Sequence, residues 1–343
     1  MLTAVTSYGP QSGSARVRVY DWLDHLGIKA DLVSYTRMPN NSVGALARTP
    51  LRTIRREFEI RRLASESRTS PVLISRRASP FSDGSVERRL MENSAKGVYD
   101  FDDAIMLDDG KFRIPRLSNS RRWEISVESA DVVIAGNAYL AESAAKLNSD
   151  VRVIPSCVSP EQYLPKETYE CAYRHPVAVW LGSPSTETYL RTIEGALLNE
   201  HKRSGLRLRL VSRGNGSLGA LDVMTDRFEW SLSSFAARLT DVDFGIMPLP
   251  DTAWSRGKCA YKLLQYGAAG LPSIASPVGA NGDVIHKFGS LGAESSDEWK
   301  RSLADMVSSS REERQDMGIR SRETVLRHYS FQAWEDEWAK AVL

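Results

Sequence analysis

Short, almost continuous apolar runs recur along the chain, and between them apolar residues fall every three or four positions. The runs at 2–7, 30–35, 71–75, 97–99, 131–135 and 151–154, then 177–181, 206–211, 244–248 and 272–275, predict β-strands. The intervening pattern predicts helices. One covers 15–26, with Val19, Leu23 and Leu26 as its apolar stripe and Gly27 as its stop. Others cover 138–147, 257–270 and 331–343. In the last of these Trp334, Trp338 and Val342 recur every four residues. Strands that are apolar on both faces and alternate with helices predict parallel sheets covered on both sides.

Three prolines within 155–165 can continue neither a helix nor a central strand. They divide the pattern into two halves, each long enough for one doubly wound domain, and 343 residues suit two such cores. The predicted fold class is therefore α/β, with two Rossmann-like doubly wound domains facing across a cleft. Chemistry is expected on the loops that follow strands. Hydrophobic residues make up 42% and charged residues 26%, an ordinary globular balance, and a net charge of +2 argues against a nucleic-acid partner. The three cysteines (Cys157, Cys171, Cys259) are scattered, with neither metal nor disulfide spacing, which suits a reducing compartment. No apolar run reaches the ~20 residues of a membrane span. The start, MLTAVTSYGP, lacks the basic and apolar regions of a signal peptide. The expectation is a cytoplasmic enzyme.

Two loops carry candidate chemistry. After the first strand, Gly9-Pro-Gln-Ser-Gly13 leads into a helix whose first turn holds Arg16 and Arg18. Free N–H groups at a helix start make an anion site, so Gly13 and Arg16 are candidate phosphate partners; a plain turn with solvated arginines is the alternative. The stretch RGKCAYKLLQYGAAGLPSIAS predicts a helix with Lys258, Lys262 and Gln265 on one stripe, at i, i+4 and i+7. That stripe spans about 10 Å along the axis, comparable to the reach from a diphosphate to its ribose. Lysines would hold phosphates and the Gln265 amide would meet ribose hydroxyls; a solvated polar face is the alternative.

Asp100, Asp102, Asp103, Asp108 and Asp109 crowd one segment. Three readings stand: a metal-binding Asp-x-Asp, a solvated strand end with Asp108-Asp109-Gly110 as a turn, or Asp102 and Asp103 meeting ligand hydroxyls, one of them as a base. The arginine-rich stretch 48–68 has Leu51, Ile54, Phe58 and the neighbourhood of Leu63 as an apolar side. It is either a weak membrane-surface contact or a surface helix balanced by Glu57, Glu59 and Glu66. The five histidines form no spaced set.

Taken in order, several stretches resemble GT-B glycosyltransferases of the retaining, family-four-like group, over nearly the whole chain. They are GSARVRVYDWLDHLG, PVLISRRASP with GVYDFDDAIM, SADVVIAGNAYLAESAAKLNSDVRVIPSCVSPEQY, VAVWLGSPSTETYL, DFGIMPLPD, and GKCAYKLLQYGAAGLPSIASPVGANGDVI. The resemblance implies an N-terminal acceptor domain over 1–160, a C-terminal donor domain over 161–326, and a final helix over 327–343 crossing back. It implies transfer of a sugar from a nucleotide-diphosphate donor to an acceptor nucleophile, with retention, no metal and no other cofactor. Lys258, Lys262, Ser183, Ser185, Thr186, Gly13 and Arg16 would then hold the diphosphate, with Gln265 at the ribose and Asp102 and Asp103 as catalytic candidates. Ser183 as N-cap with Pro184 at the first helical position would open a helix there.

The sequence departs from the group's pattern. Its two glutamates read Gly257 and Gln265, its Arg/Lys pair is replaced by Gly182-Ser-Pro-Ser-Thr186, and its N-terminal histidine has no obvious counterpart. Gly257 could meet phosphate only through its N–H. An inactive scaffold or partner subunit, and a nucleotide-sugar epimerase or phosphorylase, are the rival readings. The acceptor stays open among small molecules, lipid-linked intermediates and glycans.

Overall fold

The computed structural model describes residues 1–36, 46, 48–108, 118–171 and 173–343. Among these residues the strands form two parallel sheets of six. The first contains β1 (Leu2–Tyr8), β2 (Ala30–Thr36), β3 (Pro71–Ser75), β4 (Lys96–Phe101), β5 (Val132–Ala135) and β6 (Val151–Val153), in the order β2-β1-β3-β4-β5-β6. Strand β1 pairs with β2 on one side (Leu2 with Ala30) and β3 on the other (Thr3 with Val72). The second contains β7 (Val177–Leu181), β8 (Arg207–Ser212), β9 (Thr225–Glu229), β10 (Phe244–Met247), β11 (Ser273–Ala275) and β12 (Leu291–Gly292), ordered β12-β11-β10-β7-β8-β9. Strand order reverses between β1 and β3 in one sheet and between β7 and β10 in the other, and ligands of such sheets bind beyond the strand ends at these reversals.

Burial on both faces explains the apolar runs. In β7, Val177, Val179 and Leu181 enter one core, while Ala178 and Trp180 enter another on the opposite face. The two strands absent from the sequence pattern are both sheet edges. Strand β9 reads TDRFE and is largely half-exposed, and β12 has only two residues. An edge strand buries less and carries charge, so its apolar signal is weak.

The chain forms two compact units, each with its own sheet. One comprises Met1–Ser156, Gly257–Cys259 and Trp334–Leu343, and the other comprises Cys157–Arg256 and Ala260–Ala333. In the first, the final helix Glu335–Val342 buries Trp338, whose ring stacks on Trp22 with centroids 5.2 Å apart.

Two helices differ from expectation. The predicted helix over 257–270 is instead a short turn of helix, Ala253–Arg256, and a separate helix, Tyr261–Ala268. Ala260 between them is left-handed, with φ 54°. The cause is packing: Cys259 joins the core of the first unit, and a Cβ on Gly257 would lie 2.7 Å from Ala104. Burial of these residues takes them out of helical geometry. The predicted helix over 15–26 is interrupted by a π-helical turn at Arg16–Tyr20. The Asp109 and Gly110 part of the expected acidic turn lies outside the described residues.

Candidate functional site

In the first unit, the acidic segment after β4 meets three cations. Arg18, only 1% exposed, grips Asp100 with Nη2 at 2.6 Å and Nε at 3.1 Å, and its Nη1 donates to the Ile154 carbonyl at 2.8 Å. Arg76 donates from Nε to Asp102 Oδ1 at 2.8 Å and pairs closely with Asp103. Lys258 Nζ lies 2.6 Å from Asp103 Oδ1. Ser14 Oγ donates to Asp102 Oδ1 at 2.7 Å. Three basic side chains thus face three carboxylates, and the set is close to neutral. Burial raises the Asp102 carboxyl, but the charges of Arg76 and Arg18 and the Ser14 hydroxyl outweigh it and hold it below the ordinary carboxylate range.

Backbone packing fixes this arrangement. Arg76 follows β3 directly and has φ 65°, a left-handed conformation that costs a non-glycine residue about 1–2 kcal/mol. Its N–H donates to the Asp100 carbonyl at 2.8 Å, and its carbonyl accepts from Tyr99 Oη at 2.8 Å. The Lys258 carbonyl accepts from Asn137 Nδ2 at 3.0 Å, and Cys259 Sγ donates to the Asp102 carbonyl at 3.2 Å. Burial pushes the Cys259 thiol up, so it remains a protonated donor.

Gly13 opens a short helix, and a Cβ there would meet nothing within 4 Å. Arg16 turns inward, is buried, and pairs with Asp21 Oδ2 at 2.8 Å. The π-helical turn that carries it is a feature often found near functional positions.

In the second unit, the loop at the end of β7 lies at the strand-order reversal. Ser183 precedes a 3₁₀ helix, Pro184–Ile193, with Pro184 at its first position. The Ser183 hydroxyl makes no cap bond but lies 3.0 Å from Ser185 Oγ and 3.2 Å from Thr186 Oγ1; Ser183 and Ser185 are exposed and Thr186 is half-buried. Beneath the loop, the Trp180 ring packs so closely that a Cβ on Gly182 would lie 2.1 Å from it. The Lys262 ammonium sits over the same ring, 5.2 Å from its centroid, within cation–π range. Trp180 therefore packs against both Gly182, where the hydroxyl-bearing loop begins, and Lys262. Gln265 is 5% exposed and donates from Nε2 to Tyr163 Oη at 3.2 Å. The expected stripe is thus divided: Lys258 belongs to the first unit, and Lys262 and Gln265 to the second.

Several residues around these loops lack a distinctive sequence signal. Arg76 could have been found as the residue immediately after a strand at a reversal, but its left-handed conformation leaves no trace in the sequence. Trp180 and Tyr163 look like ordinary core residues. Glu187 is buried against the end of β8, where a Cβ on Gly214 would lie 2.1 Å from Oε1, and its Oε2 accepts from Arg227 at 3.1 Å.

The sequence matches no family model and no curated protein. Its structure is similar to that of Anabaena HepE solved with UDP and glucose, with a TM-score of 0.67 and 10% identity over 99% of this chain and 98% of that one. WaaG, a glycosyltransferase involved in lipopolysaccharide biosynthesis, matches with a TM-score of 0.67 and 12% identity over 99% of both chains. A glycosyltransferase from Rickettsia africae matches with a TM-score of 0.66 and 14% identity over 99% of this chain and 96% of that one. At these identities the likeness is one of architecture, and the chain has the GT-B fold.

Proposed function

We propose that the chain is a glycosyltransferase that moves a sugar from a nucleoside-diphosphate donor to an acceptor nucleophile, with retention and without a metal. The observation that carries this reading is the convergence on Trp180: the loop with Ser183, Ser185 and Thr186 at the reversal of the second sheet, and the Lys262 ammonium over the same ring. Hydroxyls and an ammonium at a strand-order reversal form an anion site, and a cation there offsets the charge that develops on a leaving diphosphate. HepE, of the same fold, was solved with UDP-glucose.

Lys262, Ser183, Ser185 and Thr186 are assigned to the diphosphate. Gln265 is assigned to the ribose, because its amide is both donor and acceptor and the Tyr163 bond uses one donor. From the first unit, Gly13 and Gly257 would offer backbone N–H groups, and Arg16 and Lys258 would add charge. Lys258 reaches a phosphate only by exchanging its Asp103 partner. Asp102 and Asp103 act through the cations they hold, and Arg76 and Arg18, which keep the Asp102 carboxyl low despite its burial, make Asp102 a weak base. The three cysteines, none of them in a disulfide, support a reducing, cytoplasmic setting. The sugar, the nucleobase and the acceptor are left unassigned.

The buried Gln265 and the missing side chain at Gly257 favour one rival, a nucleotide-binding subunit without turnover. Thermal-shift titration with UDP, GDP, dTDP and ADP separates the readings. A bound diphosphate at 100 times its Kd stabilises by about 2.7 kcal/mol. Lys262→Ala should weaken that binding by about 10- to 100-fold, the loss of one charge-assisted contact, and abolish transfer. The melting temperature without nucleotide should fall only slightly, through loss of the contact with the Trp180 ring. Undiminished binding in this variant would reject the site. Binding without transfer across donors and acceptors would support the rival.

A further inference from the structure

Helix Pro50–Ser65 packs on the first unit through Ile60 and Ala64, its buried residues. Phe58 lies two residues from Ile60, about 200° round the helix, and so faces the other way. Leu51, Ile54 and Phe58 follow one another at i, i+3 and i+7 on this outward side, 83%, 54% and 72% exposed. Phe81, 47% exposed, lines a surface groove with Ile54 and Phe58 and extends the apolar patch beyond the helix. Three large apolar side chains at the centre of a solvent-facing helix surface are more than the scattered exposure of an ordinary surface.

Arginines flank this patch. Residues 48–68 carry seven arginines and three glutamates. Arg55 and Arg62 lie beside the Leu51–Phe58 line, 83% and 81% exposed, and Arg61 borders its other edge. Ion pairs such as Arg55–Glu59 at 3.0 Å and Arg61–Glu57 at 2.7 Å run along the helix, but exposed pairs of this kind are weak and exchange readily for other anions. The long arginine stems let an apolar centre sink while the guanidinium groups stay at headgroup level.

We propose that this face docks the protein on the surface of an anionic lipid bilayer, with Leu51, Ile54, Phe58 and Phe81 entering the boundary of headgroups and acyl chains and the arginines meeting lipid phosphates. Charge complementarity selects this occupant. An excess of arginine attracts an anionic surface, whereas two copies of the same basic face would repel each other. The helix lies on the membrane and does not span it; among the described residues no helix is long and apolar enough to cross. This inference stands independently of the proposed reaction.

The test is vesicle co-sedimentation of the full chain, comparing pure phosphatidylcholine with three parts phosphatidylglycerol to seven parts phosphatidylcholine. Binding is expected on the anionic vesicles, weaker on the neutral ones, and falling as salt rises. Replacing Leu51, Ile54 and Phe58 together by Ser should weaken binding by about 100-fold, because the buried apolar area is lost. The melting temperature should hold, since these side chains contribute little to the core. Arg55→Gln with Arg62→Gln should reduce the preference for anionic vesicles. No sedimentation with anionic vesicles would overturn the proposal, as would binding unchanged in the triple variant. Concentration-dependent dimerisation abolished by the triple variant, without lipid binding, would instead assign the face to a second copy.

Discussion

At the residue scale, charge matching dominates the first unit. Asp102 accepts from Ser14 and Arg76, and its carboxyl lies below the ordinary range despite burial. A carboxyl depressed by folding contributes stability that is fully present above its unfolded value of about 3.9 and is lost as pH falls through the folded value. The acid limb of a stability profile should therefore be steeper below about pH 4 in the wild type than in Asp102→Asn. Urea titrations across that range check this, and equal slopes would show that the ion pairs add nothing to the folded state. The same balance bears on chemistry. Arg76 and Lys258 are attractive partners for phosphate by type, yet each is already held by a carboxylate. Lys262 instead lies over the Trp180 ring, 5.2 Å from its centroid.

At the scale of elements, ten strands were legible because burial on both faces writes continuous apolar runs into the sequence. The loop after β7 was legible too, since Ser183-Pro184 is a helix-start signal and a 3₁₀ helix begins there. The segment 257–260 was not. Periodicity runs through it without a break, and what ends the helix is tertiary: Cys259 and Gly257 are taken into the first unit's core. Neither the missing room for a Cβ at Gly257 nor the left-handed Ala260 and Arg76 can be read from spacing. The expectation that Lys258, Lys262 and Gln265 share one helical face failed for this reason. Gly257→Ala would bring a methyl group to 2.7 Å from the Ala104 backbone N and Cβ. It should cost about 1–3 kcal/mol by overpacking, read from the midpoint of a denaturant titration. A variant as stable as the wild type would mean that the segment is free to move away from Ala104.

At the scale of the whole molecule, sequence order and unit membership part company. Gly257–Cys259 and Trp334–Leu343 lie in the second half of the chain but belong to the first unit. Removal of 334–343 strips Trp338 from Trp22, both fully buried, and should cost at least the ~3–5 kcal/mol of a large buried aromatic. Hydrogen exchange should then rise across β1–β6 and stay unchanged across β7–β11. Uniform loss of protection in both sheets would contradict the division into two units.

The Trp22–Trp338 stack also governs when the protein can finish folding. Translation completes the first sheet early, but one face of the Trp22 indole waits for a partner made hundreds of residues later. Closing so distant a contact is slow, and until it forms the nascent N-terminal half carries an uncovered aromatic surface of the kind that aggregates or recruits chaperones. Maturation of the N-terminal half is thereby tied to the emergence of residue 338 from the ribosome.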